Sequence, residues 1–262
     1  MNQGFVIENN VLLRYAGTEP YVTIPSGVTA IGKNAFCGNQ ILISVTIPND
    51  VTVIGDCAFG KCENLQTVIL PESLQSIPSE LFTMCHHLSV IKLPQTVKTI
   101  GPWAFCDCRA LSAIEFPQSV QEIGHHAFES CVSIRTIHLP ENVTYLGMRA
   151  FTCCENLQEV TLPDGLEEID PWAFEMCKNL TSIHLPAGLR IIDNAAFEAC
   201  EHLAEVMIPA AVKEVEEAAF GKCPALRTVR IEGNLSRVKN WHEDAFHHSP
   251  WETEYHKLRL GR

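Results

Sequence analysis

The chain has 262 residues, 46% of them hydrophobic, and its 31 acidic residues outnumber 19 basic residues to give a net charge of −12. This composition suffices for one domain of good size or at most two, and the charge argues against a nucleic-acid partner, because phosphate backbones require clustered lysine and arginine. No stretch of about 18 or more apolar residues is present, so we expect no membrane insertion.

The N-terminal segment MNQGFVIENNVLLRYAGTEP lacks the charged and apolar regions of a signal peptide. On this criterion we expect a cytoplasmic protein, and the alternative is a secreted or cell-surface protein whose leader is absent from this chain. The segments FVI and VLLRY alternate in polarity around ENN, where asparagine favours a turn. We therefore predict that residues 1–20 form a hairpin that covers the N-terminal end of the fold.

Residues 21–227 divide without a gap into nine consecutive 23-residue segments. Positions 2 and 4 of each segment are apolar, which predicts a short strand, and proline at position 5 ends it. Positions 8 and 11 are aliphatic and predict a second extended piece. Position 12 is mostly glycine in the first six segments and aspartate or glutamate in the last three, which predicts a turn with unusual φ.

Position 16 is phenylalanine in every segment, which predicts one ring per coil of a stacked aromatic spine. Position 15 is alanine in every segment except the third, which has Leu81, and this indicates little space beside the ring. The phenylalanines are Phe36, Phe59, Phe82, Phe105, Phe128, Phe151, Phe174, Phe197 and Phe220, and Phe246 continues the column.

Position 19 is cysteine from the second segment to the ninth, with Asn39 before this column and Ser249 after it. Neighbouring coils lie about 4.8 Å apart, which permits disulfides by distance, whereas the parallel Cβ directions within one column oppose them. A zinc ion needs about four ligands at one point, and a column spreads them along a line. We therefore expect buried free thiols that pack on or bond to the backbone, and no metal site. The column contains Cys62, Cys85, Cys108, Cys131, Cys154, Cys177, Cys200 and Cys223.

The remaining residues, 228–262, contain a degenerate tenth segment and then Trp241, Trp251, Tyr255 and Leu258. These side chains provide enough apolar area to cover the last coil. The sequence thus predicts a single domain over residues 1–262, with a hairpin cap at 1–20, nine repeats at 21–227, and the tenth repeat with a C-terminal cap at 228–262.

The pattern LxxIxLPxxVxxIGxxAFxxCxxL resembles the BspA-like, or Treponema-type, leucine-rich repeats, and the match is continuous over residues 21–227. The resemblance implies a leucine-rich repeat solenoid of the α/β horseshoe class, rich in β-structure, with about ten 23-residue coils. It also implies a parallel sheet on the concave face and short helical or 3-10 turns at the AFxxC segment. Members of this family are mostly bacterial, and some bind host proteins or other cells. The family has no shared catalytic residues, so the resemblance assigns none here.

Strand positions 1 and 3 are predicted to be exposed, and their varied side chains make the concave face our candidate binding surface. We expect a non-enzymatic scaffold that binds a protein. Residues 141–220 carry 15 acids and 4 bases, which either match a partner with a basic surface or form a solvated face that keeps the protein soluble. A structural or self-associating module is the alternative. No cofactor or catalytic residue is predicted. The candidate binding residues are Ile69, Val90, Lys92, Glu115, His138, Thr161, His184 and Met207.

Overall fold

The computed structural model describes residues 4–261, which form a solenoid of short parallel strands between two caps. We number the coils from Tyr21 in 23-residue steps, so that coil 1 is 21–43 and coil 10 begins at Thr228. The described part of the chain contains little helix, namely a 3-10 helix at Leu235–Asn240 and the helix α1 at Glu252–Leu260.

The strands form an N-terminal hairpin and two ladders that run along the array. The hairpin consists of β1 (Phe5–Glu8) and β2 (Val11–Tyr15), which pair antiparallel. In chain order the other strands are β3 (Tyr21–Thr23), β4 (Ala30–Ile31), β5 (Ser44–Thr46), β6 (Val53–Ile54), β7 (Thr67–Ile69), β8 (Ser76–Ile77), β9 (Thr99–Ile100), β10 (Glu122–Ile123), β11 (Thr136–His138), β12 (Tyr145–Leu146), β13 (Glu159–Thr161), β14 (Glu168–Ile169), β15 (Ser182–His184), β16 (Ile191–Ile192), β17 (Glu205–Ile208), β18 (Glu214–Val215) and β19 (Thr228–Ile231).

The first ladder uses positions 1 to 3 of each coil, and every pair in it is parallel and joins equivalent positions of neighbouring coils, as in Val22 with Val45. The middle residue of each three-residue strand is buried and its two neighbours point outward. This ladder forms a three-stranded sheet, β3-β5-β7, and a five-stranded sheet, β11-β13-β15-β17-β19. The predicted parallel sheet is therefore present and is divided in two. In coils 4 and 5 the ladder is reduced to a single bridge between Lys92 and Glu115.

The second ladder uses positions 10 and 11, and it begins where β2 of the hairpin pairs with β4. Its strands pair in parallel with those of the neighbouring coils, as in Ile123 with Leu146, and form three separate sheets, β1-β2-β4-β6, β8-β9-β10-β12 and β14-β16-β18. The hairpin thus extends the sheet and covers the first coil, which otherwise would expose unpaired backbone groups.

The short turns expected at the AFxxC segment are present as consecutive hydrogen-bonded turns. In coil 5 the N–H groups of Ala127, Glu129 and Cys131 each donate to the carbonyl three residues earlier, at 3.2–3.3 Å. The third residues of the first and last of these turns, His126 and Ser130, have φ values of 57° and 60°, as a type II turn requires.

These turns direct every second N–H group at the next coil. His126 donates to Met148 O at 2.9 Å, Phe128 to Ala150 O at 2.8 Å, and Ser130 to Thr152 O at 2.8 Å. The same three bonds recur along the array, so each coil is joined to its successor by a third hydrogen-bonded ladder. Positions 14 and 18 carry the positive φ that this ladder requires.

The expectation of an unusual φ at position 12 is wrong. Gly124, for example, does not have a positive φ, unlike Gly38, whose φ is 73°. A Cβ on Gly124 would lie 2.7 Å from the backbone nitrogen of Pro102, so the position needs glycine because the preceding coil passes so close. Pro78 and Asp170 carry a Cβ at the same position, so the position does not need glycine in every coil.

The phenylalanine column is confirmed as a continuous stack in the centre of the solenoid. All ten rings are fully buried, and consecutive centroids lie between 4.8 Å (Phe36–Phe59) and 5.9 Å (Phe59–Phe82) apart. Tyr15 of the hairpin extends the stack at one end, 5.0 Å from Phe36. At the other end Phe246 contacts Trp251 and Tyr255 of the C-terminal cap at 4.8 and 4.9 Å.

Candidate binding face

The eight candidate residues all lie on one side of the first ladder, which we call the strand face and define by positions 1 and 3 of each coil. Each of the eight side chains is exposed, and Ile69 and Val90 are 60% and 62% exposed. The buried residue at position 2 holds each strand in place from the other side, because it packs into the core. The strand face therefore presents varied side chains on a regular backbone.

Three candidate residues lie in coils 4 and 5, where the first ladder is interrupted. Val90 lies in no strand, and Lys92 and Glu115 form the isolated parallel bridge. Phe116 follows Glu115 directly and is the aromatic exception at position 4, where the other segments have isoleucine or leucine. Its ring is partly buried and meets Phe128 edge-on at 5.6 Å. The strand pairing of the first ladder is thus reduced to this bridge beside Phe116, whose larger ring packs against the core.

In the five-stranded sheet the position 3 side chains follow one another in register. His138 pairs with Thr161, Thr161 pairs with His184, and His184 pairs with Met207. The His138 Nδ1 atom lies 3.0 Å from Thr161 Oγ1, within hydrogen-bonding distance. Among residues 4–261, no group of three or more histidine, cysteine, aspartate or glutamate side chains is placed to hold a metal ion.

A shallow groove of about 220 Å³ opens on the strand face near its C-terminal end. His184 and Met207 form its walls together with Glu205 and Arg230, so the groove combines both signs of charge with an apolar thioether. Of the eight candidates, only these two line it. The candidate residues thus form one exposed surface rather than a single pocket.

Negative charge gathers along the second ladder in coils 7 to 9. Burial and the nearby carboxylates of Glu168 and Asp193 together raise the pKa of Asp170 to about 6, against the lowering effect of a hydrogen bond from Tyr145. Burial likewise raises the pKa of Glu168, and the negative charges of Asp193 and Glu214 contribute to this increase. These shifts show that like charges are held near one another on this side of the molecule.

The cysteines of position 19 form a buried column that bonds to the backbone, as predicted. Each Sγ atom donates to the carbonyl of the phenylalanine in the preceding coil, as Cys131 does to Phe105 O at 3.1 Å. Burial raises the pKa of the Cys131 thiol well above its ordinary value, so this thiol stays protonated. The column therefore contributes buried packing and hydrogen bonds to the core.

Replacing Cys131 with alanine should lower the free energy of unfolding by about 1–2 kcal/mol, because it removes a fully buried sulfur and its hydrogen bond. Urea unfolding measured by circular dichroism tests this expectation. Cys106→Ala is the matched control, because Cys106 lies outside the column and is partly exposed. Equal losses in the two variants would contradict a specific role for the column.

Sequence reasoning missed the contacts among the side chains at position 14. Trp103 stacks on His126 at 4.8 Å, and the guanidinium of Arg149 lies 4.8 Å from the Trp172 ring centroid. Beyond Trp172 the column continues with Ala195 and Ala218, which leave an open depression of about 510 Å³. The period aligned these residues, but their chemical types differ from coil to coil and gave no sign of stacking.

A family model gives the decisive comparison. The BspA type leucine rich repeat region matches residues 14–135 and 121–250, with six copies. The chain belongs to the BspA-type leucine-rich repeat family. No curated protein sequence matches this BspA-type chain.

Solved structures of bacterial leucine-rich repeat proteins share the fold of this BspA-type chain. A protein from Eubacterium ventriosum is 19% identical, with a TM-score of 0.57 over 91% of this chain and 88% of that one. The pneumococcal vaccine antigen PcpA is 20% identical, with a TM-score of 0.53 over 87% and 71%. A protein from Bacteroides ovatus is 24% identical, with a TM-score of 0.52 over 91% and 76%.

The BspA-type solenoid is typically a repeat scaffold without enzymatic activity, and leucine-rich repeats commonly mediate protein interactions. Among residues 4–261, the helices are too short and too polar to cross a membrane. These statements describe the class of scaffold to which the chain belongs.

Proposed function

We propose that this chain is a non-enzymatic scaffold that binds a protein partner with a basic surface through its strand face. The observation that carries the proposal is the alignment of eight exposed and chemically varied side chains on one regular face. Large apolar side chains that remain exposed on an ordered surface favour a protein partner, because binding removes them from water.

The apolar part of this surface lies next to the break in the first ladder. Ile69 ends β7, and Val90 lies one coil further along, beside the bridge of Lys92 and Glu115. A partner that covers Ile69 and Val90 would bury apolar area at the centre and pair with the two charges at the edge. This arrangement resembles a protein interface with an apolar centre and a polar rim.

Charge supports a basic partner. The chain carries a net charge of −12, and coils 6 to 9 contain most of the acidic excess. Glu159 and Glu205 bring part of it onto the strand face at position 1. A basic partner would therefore be attracted over a distance of about one Debye length, and its association should slow as salt is added.

The experiment is capture of the partner from the source cell, followed by affinity measurements with both proteins purified. The double variant Lys92→Ala/Glu115→Ala should weaken binding by about tenfold or more, because it removes the charged pair beside the apolar centre. Biolayer interferometry at two salt concentrations gives the affinity and the association rate.

A matched control comes from the same two coils. Lys98 and Glu122 have the same charges but lie at positions 9 and 10, at the second ladder, and both are exposed. Lys98→Ala/Glu122→Ala should leave the affinity unchanged. If this control weakens binding while the strand-face variant does not, the strand face is not the binding surface.

A further inference from the structure

Two cysteines outside the buried column approach each other between the first two coils. The Sγ atoms of Cys37 and Cys57 lie 3.5 Å apart. Cys37 occupies position 17 of coil 1 and is partly exposed, whereas Cys57 occupies position 14 of coil 2 and is buried. The 23-residue period places them in different columns, so their proximity is not evident from the sequence.

The backbone around this pair is fixed by hydrogen bonds between the coils. Phe36 donates to Ala58 O and Gly38 donates to Gly60 O, both at 2.8 Å. These bonds hold the residues on either side of Cys37 against the residues that follow Cys57. The two sulfur atoms must come together by about 1.5 Å to reach the ~2.05 Å length of a disulfide. Because the backbone is held by these hydrogen bonds, the Cys37 and Cys57 side chains must rotate to close this distance.

Gly60 provides the space that Cys57 needs. A Cβ at residue 60 would lie 2.4 Å from the Cys57 Sγ atom, which no real side chain tolerates. Thr83 and Cys106 occupy the same repeat position in coils 3 and 4. The absence of a side chain at Gly60 thus leaves room for the sulfur beside Cys37.

The other cysteines have different surroundings. The thiols of the buried column, such as Cys62 and Cys85, donate to backbone carbonyls and are fully buried. Cys106 shares position 17 with Cys37, but the residue in the next coil that corresponds to Cys57 is His126. The Cys153 Sγ atom lies 3.8 Å from the Met176 Sδ atom.

We propose that Cys37 and Cys57 form a redox modification site, in which a peroxide oxidises the two thiols to a reversible disulfide between coils 1 and 2. The site is independent of the strand face and of the binding function proposed above.

The reaction begins at Cys37, because it is the more accessible thiol. Its thiolate attacks hydrogen peroxide, which gives a sulfenic acid and hydroxide. The Cys57 sulfur then attacks the Cys37 sulfur, loses its proton and expels hydroxide. In sum, two thiols and one peroxide give one disulfide and two waters.

The surroundings of Cys57 set the order and the pace of these steps. Burial, together with the nearby Cys37 and Glu80, raises the pKa of Cys57 to about 12 against the lowering effect of Lys61. Cys57 is therefore a poor first nucleophile, and its attack depends on the short distance to Cys37. A dithiol reductant reverses the reaction by thiol–disulfide exchange.

The disulfide would link coil 1 covalently to coil 2 at the end of the array that carries the hairpin. In a solenoid each coil contacts only its neighbours, so the terminal coils open most readily. A link at this end should therefore slow the opening of coil 1 and leave the distant coils unaffected.

The test uses the full chain, treated with hydrogen peroxide and then quenched with catalase. Free thiols are counted after denaturation, and linked peptides are identified by mass spectrometry. The reduced chain has 12 cysteines, so we expect 12 − 2 = 10 free thiols after oxidation and a linked Cys37–Cys57 peptide. Hydrogen exchange of residues 34–60 should slow on oxidation and recover with dithiothreitol.

Variants separate this pair from general oxidation. Cys37→Ser and Cys57→Ala should form no disulfide, and Cys37→Ser changes a partly exposed side chain, so it should fold normally. Cys106→Ser is the matched control at position 17 and should still lose two thiols. Retention of all thiols, a link between other cysteines, or peroxide oxidation that stops at a sulfenic or sulfinic acid on Cys37 would overturn the proposal.

Discussion

Replacing Phe151 with alanine should lower the free energy of unfolding by about 3–5 kcal/mol, because it opens a cavity in the middle of the spine. Phe151 is fully buried and stacks between Phe128 at 5.3 Å and Phe174 at 5.6 Å, with interplanar angles of 7° and 8°. Its loss removes two aromatic contacts as well as the buried ring area. Urea or thermal unfolding of the purified variant measures the change.

The neighbouring coils cannot close the resulting gap easily. The backbone of coil 6 is tied to coil 7 by the bond from Phe151 N to Ala173 O at 2.9 Å, so the coils keep their spacing when the ring is removed. Phe116→Ala is the control, because the Phe116 ring is only partly buried and lies beside the stack. A loss for Phe151→Ala no larger than that for the control would contradict a stabilising role for the continuous spine.

Replacing Tyr255 with alanine should also cost about 3–5 kcal/mol and should expose the last ring of the spine. Tyr255 lies in α1, is fully buried, and packs on Phe246 at 4.9 Å and near Trp251 at 6.0 Å. Its hydroxyl donates to His242 O at 2.6 Å, which joins the helix to the tenth coil. We expect a lower melting temperature and concentration-dependent association measured by light scattering, because an uncovered end presents apolar surface.

Two variants of the same helix show which part of Tyr255 matters. Tyr255→Phe keeps the ring and removes only the hydrogen bond, so it should lose about 1 kcal/mol. Leu260→Ala alters a side chain that is 66% exposed and should have almost no effect. If all three variants unfold alike, α1 does not cover the end of the spine.

The sequence predicted the core well because one large residue per coil can be buried only by stacking. Phe36 and Phe220 belong to the first and the ninth coil, yet the column between them has no gap in sequence or in structure. The thiol column was predicted for the same reason, since a small polar group buried in every coil needs a regular backbone acceptor. The Cys131 bond to Phe105 O supplies that acceptor.

The local conformation of the turns was harder to predict. Positions 14 and 18 have positive φ, yet they contain residues such as Trp103, Arg149 and Cys153, which have no preference for it. The demand comes from the next coil, whose carbonyls accept the N–H groups of these positions. An unusual φ was predicted at position 12 because glycine favours it. Glycine is instead needed there because the backbone of the preceding coil lies too close for a Cβ.

The candidate binding residues were predicted to be exposed from a period of two, and each is exposed in the structure. The division of the strand face near Lys92 was not predicted, because the repeat pattern continues through coils 4 and 5 and only Phe116 departs from it. Likewise, the proximity of Cys37 and Cys57 depends on how two different columns meet between coils. Alignment by period places residues within a column but does not measure distances between columns.

The ladder of N–H groups that each coil offers to its successor has a consequence for how such chains change length. The same N–H groups of each coil donate to the same carbonyls of the next coil. Duplication or deletion of one complete 23-residue unit would therefore join equivalent donors to equivalent acceptors. An insertion of any other size inside the array would misplace every later junction. The spacing becomes longer between Phe220 and Phe246, where the last full unit is followed by the terminal segment. Growth by recombination is thus limited to whole units within the nine regular coils, and the longer spacing lies outside them.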